Sequence, residues 1–144
     1  MKSFLDTSVI VAAARTNDGR YQASSALLHA CDPNIGACAA HTRAEVYSNL
    51  TGMPPPNRFH PQLALKFIVR LRSKLECVAL SPDEYLDAAQ RIADLGLLGG
   101  LIYDALLLAC ARKVNAERIY TWNVRHFQLV APDLKDRIIQ PPLP

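Results

Sequence analysis

Apolar residues along this chain fall into two alternating kinds of stretch. Short runs suited to buried strands are Ser3-Phe4-Leu5, Ile35-Gly36-Ala37-Cys38, Cys77-Val78-Ala79-Leu80 and Arg118-Ile119-Tyr120-Thr121, with Ile138-Ile139 as a short fifth at an edge. Between them, apolar positions recur every three or four residues, the period of a helix with one buried face. The chain enters one such helix around Asp6-Thr7-Ser8. Residues 21–30 form the next, with Ala26, Leu27 and Ala30 facing inward, and residues 42–50 another. After the stiff connector Pro54-Pro55-Pro56-Asn57, residues 61–75 place Leu63, Phe67 and Leu71 at i, i+4 and i+8, flanked by Ile68 and Leu75. Ser81-Pro82-Asp83-Glu84 supplies an N-cap, a first-turn proline and a capping glutamate for a helix running to Gly96. Gly99-Gly100 precedes a helix over residues 102–114 that is apolar nearly all round and therefore central. Strands alternating with helices predict an α/β fold with a parallel sheet covered by helices.

Length narrows this to one domain spanning residues 1–144, large enough to build a core without disulfides or structural metal. The four cysteines contain no C-x-x-C pair, which predicts reduced core thiols and no zinc site. The most apolar stretch, residues 95–111, is cut by Asp104 and by glycines, so no membrane span is expected. The apolar run over residues 9–14 is too short for a signal peptide and follows Asp6, which predicts a cytoplasmic protein. A net charge of +3 permits a nucleic-acid partner without requiring one.

In parallel sheets, ligands bind outside the carboxyl ends of the strands. Asp6 directly follows the first strand, Glu45 lies one turn into the helix after the second, and Asp104 opens the buried helix before the fourth. Thr121 ends that fourth strand and Asn123 comes two residues later. Local structure accounts for part of this. Asp6 can cap the following helix, although Thr7 or Ser8 is equally able to do so. Thr42 and Glu45 have the spacing of a capping box. Asp104, between Leu101-Ile102-Tyr103 and Ala105-Leu106-Leu107-Leu108, is harder to dismiss, because an unpaired buried carboxylate is expensive. Three carboxylates in one crevice repel each other unless a cation neutralises them. A hard divalent ion, Mg²⁺ or Mn²⁺, suits such oxygen ligands and points to phosphodiester hydrolysis.

The segments F-L-D-T-S-V, A-E-V-Y-S-N-L, Y-D-A-L-L-L-A-C-A and I-Y-T-W-N-V-R-H-F resemble, in order and spacing, the motifs of a PIN domain. The set most resembles the small bacterial VapC-type toxins, from Ser3 to about Phe127. The resemblance implies a three-layer α/β/α fold and a Mg²⁺- or Mn²⁺-dependent endoribonuclease. It also implies a homodimer held silent by a cognate antitoxin protein. Asp6, Glu45 and Asp104 match the acidic residues of the family and become the expected metal ligands. Thr7 or Ser8 matches its small hydroxyl residue, and Thr121 supports the site. Asn123 stands where many members carry an aspartate, which favours a one-ion site or a second ion recruited with the RNA. His126 is read as a solvated loop residue.

Eleven of the 16 basic residues are arginines, the side chain suited to forked phosphate contacts. Lys66, Arg70 and Lys74 recur at i, i+4 and i+8 as a candidate strip for RNA phosphate or an acidic antitoxin segment. Arg43 and Arg125 are further candidates. Competing readings are a PIN-like module that binds RNA or protein without cutting, and a stand-alone PIN nuclease outside any toxin-antitoxin pair. A haloacid-dehalogenase-type phosphatase needs a second acid where Ser8 stands. A response-regulator receiver needs a lysine that no late strand supplies.

Overall fold

Successive side chains of a strand point to opposite faces, and here each face has its own core. A computed structural model describes all residues, Met1–Pro144. In the central strand β1 (Ser3–Leu5), Phe4 enters one apolar cluster and Leu5 the other, both fully buried. In β2 (Gly36–Ala39), Ala37 and Ala39 join Phe4, whereas Cys38 joins Leu5. With β3 (Glu76–Val78), β4 (Arg118–Tyr120) and β5 (Ile138–Ile139), these form a five-stranded sheet of order β3-β2-β1-β4-β5. Every pairing is parallel, with Ser3 opposite both Gly36 and Arg118.

The helices α1 (Thr7–Ala14), α2 (Tyr21–His29), α3 (Ala40–Gly52) and α4 (Pro61–Arg70) precede β3 or its 3₁₀ turn. Val9, Ile10, Val46, Leu50, Ala64 and Ile68 from α1, α3 and α4 fill the Leu5 side. The Phe4 side is filled by α5 (Pro82–Asp94), α6 (Leu101–Lys113) and α7 (Val124–Val130). Six residues of α6 are buried, as its nearly continuous apolar sequence predicts. The result is the expected α/β/α layering. No helix is long and apolar enough to cross a membrane.

Several local expectations fail for identifiable reasons. The inner face of α2 is Ala23 and Ser24, with Leu27 and Leu28 partly buried, while Ala26 and Ala30 are exposed. Hydrophobicity alone hides Ser24, which is buried because its Oγ accepts a hydrogen bond from Trp122 Nε1 at 2.8 Å. On α4, Leu63 is exposed and Ala64 is buried, since the helix packs closely against α3 and a small residue fits the contact. The helix also stops at Arg70; Leu71–Ser73 is a 3₁₀ turn, so Lys74 is off the helix face. Arg125 and His126 are not in a loop but in the first turn of α7.

Gly36 shows how tightly β2 is covered. A Cβ at this position would lie 2.8 Å from Leu75 Cδ2 and 3.0 Å from the Cys31 side chain. Overpacking of this kind costs roughly 1–3 kcal/mol, so Gly36→Ala is expected to lower the urea unfolding midpoint measurably. An unchanged midpoint would mean that Leu75 and Cys31 yield freely.

Candidate active site

Parallel strands bring all carboxyl ends to one edge, and Asp6 is the first residue beyond β1 there. Its backbone N–H continues the ladder to Tyr120 O at 3.1 Å, and its side chain caps α1, Oδ1 accepting from Val9 N at 3.1 Å. Neither Thr7 nor Ser8 takes that role. Ser8 Oγ instead donates to Asp6 Oδ1 at 2.7 Å, and Thr121 Oγ1 donates to Oδ2 at 2.7 Å. Of the roughly four acceptor sites on a carboxylate, three are occupied, and one on Oδ2 is free for a ligand. Asp6 is only 2% exposed. Burial pushes its carboxyl up to about 6, against the bonds from Ser8, Thr121 and Val9, with the nearby charge of Asp104 adding to the rise.

Glu45 is placed by a hydroxyl pair rather than by a capping box. The N-cap of α3 is Ala39 and makes no side-chain bond, so Thr42 and Glu45 lie within the helix. Thr7 Oγ1 donates to Glu45 Oε1 at 2.9 Å and lies 3.0 Å from Thr42 Oγ1. Having one proton, Thr7 accepts from Thr42. Asp104 stands in the first turn of α6, half-buried. Burial raises its carboxyl above the ordinary range, His126 opposes the rise and Glu45 adds to it.

Asp6, Thr7, Ser8, Glu45, Asp104 and Asn123 line one crevice of about 310 Å³. The acids surround it, yet no three acidic, histidine or cysteine side chains close on a common ligating point. A donor set of hard oxygens on an open crevice fits a divalent cation that keeps several of its waters; it does not fit a closed protein cage. The larger hollow between α5 and α6, about 640 Å³, contains none of these acids. Two of its cations are already paired, Lys113 with Glu84 and Arg112 with Asp133.

A family model described as PIN domain matches residues 3–131. The chain belongs to the PIN-domain family. It is 33% identical over 114 residues to Ribonuclease VapC40 of Mycobacterium tuberculosis, covering 78% of this chain and 80% of that one. Its fold is similar to that of M. tuberculosis VapC20, described as a sarcin-ricin loop cleaving toxin. The TM-score is 0.70 at 17% identity, over 87% of this chain and 92% of the other. A chain of VapBC-1 from nontypeable Haemophilus influenzae matches with a TM-score of 0.66 at 19% identity, over 97% and 98%.

Against this PIN fold, the remaining expected residues divide clearly. Asn123 is exposed at the N-cap of α7, its backbone N–H donating to Thr121 Oγ1 at 2.9 Å and its side-chain amide unspent. Arg125 and His126 line an adjoining hollow that shares Asn123 with the crevice. The basic strip does not form. Lys74 Nζ donates to His29 O at 3.0 Å, at the end of α2, beside the start of β3 and thus at the sheet edge opposite the acids. Arg43, on an exposed part of α3, has its charge felt by Cys38 and does not line the crevice. Lys66 and Arg70 are exposed on α4, also outside it.

Sequence reading missed Asp18, Arg20 and Asn49, which complete the crevice wall. It also missed the stack of His41 on Tyr103, with ring centroids 6.1 Å apart and planes 5° from parallel. Asp18 and Arg20 lie between α1 and α2, where no periodicity says which way the connection folds. His41 and Glu45 are one helical turn apart on α3, the available clue to a shared face.

Proposed function

We propose that this protein is a metal-dependent endoribonuclease that hydrolyses RNA phosphodiester bonds and acts as the toxin of a toxin-antitoxin pair. The observation that carries the reading is the crevice itself: three carboxylates from β1's end, α3 and α6 around an open space, in a chain related to a VapC ribonuclease. A divalent ion, Mg²⁺ with Mn²⁺ as substitute, supplies Lewis-acid activation of water and neutralises charge building on the phosphate. Asp6 would hold it through the free position on Oδ2, with Asp104 and Glu45 as direct or water-mediated ligands.

The other residues keep these groups in place. Ser8 and Thr121 fix the Asp6 carboxylate from both sides, and Thr7 orients Glu45. Asn123 offers an uncharged amide at the rim and adds no negative charge that would recruit a second ion. Arg125, lining the adjoining hollow that shares Asn123 with the crevice, would be a further contact for RNA phosphate.

The partners are RNA and a cognate antitoxin, and the working form is a cytoplasmic homodimer. The relatives supporting the antitoxin include the VapBC2 structure from Rickettsia felis, described with a promoter DNA fragment, with a TM-score of 0.62 at 21% identity. Induced expression in a bacterial host is expected to arrest growth, and Asp104→Asn to relieve the arrest at equal protein level. Normal growth under wild-type expression, with soluble folded protein present, would count against the toxin role.

A further inference from the structure

Arg20 is the one basic side chain on the wall of the acid crevice, facing a space also lined by Asp6, Asp18, Glu45 and Asp104. It makes no ion pair with any of them, and its guanidinium donates no hydrogen bond. Its Cζ lies 5.5 Å from the centroid of the Trp122 ring instead. Contacts of this kind at exposed sites are weak, comparable to an exposed ion pair, so the guanidinium stays available to a ligand entering the crevice.

Trp122 is itself held at two points, its indole and its backbone. Trp122 Nε1 donates to Ser24 Oγ at 2.8 Å, and Ser24 is fully buried. The Trp122 backbone N–H donates to Ser8 Oγ at 3.0 Å, and the same hydroxyl donates to Asp6 Oδ1 at 2.7 Å. One serine therefore links the Trp122 backbone to the most buried acid of the crevice. The Arg20 guanidinium rests on the Trp122 ring with its donors unused.

We propose that Arg20, laid on the Trp122 indole, is a phosphate-binding residue of this crevice that grips the RNA backbone beside the bond being cut. The inference rests on the nuclease reading and deepens it. Phosphate is the anion the nuclease reading brings here, because an RNA backbone must enter this crevice for its bond to be cut, with the divalent ion offsetting the carboxylates' repulsion. The planar fork suits two non-bridging oxygens. Trp122 is then a positioning residue.

The test uses a fluorescein-labelled single-stranded RNA of mixed sequence, titrated by anisotropy against the full chain carrying Asp104→Asn, which prevents turnover. Adding Arg20→Ala is expected to weaken binding roughly tenfold and to reduce the slope of log K against log salt by about 0.7, one single-strand phosphate contact. Arg20→Lys should keep the salt slope while losing part of the affinity, and Trp122→Leu should weaken binding with Arg20 present. Arg20 is exposed, so its variants should keep the wild-type thermal midpoint. Affinity and salt slope unchanged in Arg20→Ala would overturn the proposal, as would an equal loss in Arg20→Lys. Cleavage by the otherwise wild-type chain is measured alongside: its failure counts against the nuclease reading, whereas the anisotropy titration judges Arg20 alone.

Discussion

Asp104→Asn is expected to lower RNA cleavage by about a thousandfold or more while leaving a folded protein, because the ion's Lewis-acid contribution is worth several kcal/mol and each 1.36 kcal/mol is tenfold in rate. The substitution keeps the shape of a half-buried side chain in the first turn of α6 and removes only its charge. Asp6→Asn should be at least as damaging, since Asp6 is the acid most firmly fixed by hydrogen bonds. Glu45→Gln should cost less if Glu45 reaches the ion through water, as replacing outer groups of metal sites typically costs about 10–100-fold. The decisive quantity is the single-turnover rate at saturating Mg²⁺. A rate within tenfold of wild type for Asp104→Asn would remove that residue from the machinery.

The second large effect is on stability. Asp6 is fully enclosed and its carboxyl is pushed up to about 6, chiefly by burial. Between the ordinary carboxylate value near 4 and about 6, the folded metal-free protein binds more protons than the unfolded chain. Its stability therefore falls as pH rises through that window. The penalty is absent below it and complete above it, amounting to about 3 kcal/mol for a two-unit rise. Asp104, raised by burial in the same direction, adds to the slope. In EDTA, Asp6→Asn should be more stable than wild type at neutral pH and show a flatter profile, since an amide retains an acceptor for Ser8 and Val9. Mg²⁺ should stabilise wild type and leave Asp6→Asn nearly unmoved, a bound ion at a hundredfold its Kd giving about 2.7 kcal/mol. Urea unfolding across pH 4–7 reads both effects, and stability rising with pH through the window would contradict the assignment.

These two effects show why the crevice was partly legible in the sequence. A carboxylate directly after a strand or within an apolar helix is visible against its neighbours, which is why Asp6 and Asp104 stood out. Glu45 is different. Its spacing from Thr42 matched a capping box, but the helix begins at Ala40 and both side chains turn to Thr7, a contact 35 and 38 residues distant in sequence. Periodicity found the strands and the central helix because burial writes itself into apolar spacing. It misjudged α2 because Ser24 is buried by a partner 98 residues away, and α4 because a close helix contact selects Ala64 over Leu63. Arg20 left no signal at all: its role depends on a connection folding over α1 and on a ring from the other end of the chain. The single helical face read from Lys66, Arg70 and Lys74 is broken after Arg70, where the helix gives way to a 3₁₀ turn.

The central claim is hydrolysis by water at a divalent ion held by the acids of this crevice. It is tested most directly by incubating EDTA-treated protein with RNA in ¹⁸O-labelled water, with and without added Mg²⁺, and analysing the new ends by mass spectrometry. Cleavage only with Mg²⁺ or Mn²⁺, with one solvent ¹⁸O in the newly formed terminal phosphate, is the predicted result. Cleavage that persists in EDTA, or 2′,3′-cyclic phosphate ends free of label, would mean that the ribose hydroxyl is the nucleophile and would contradict the account.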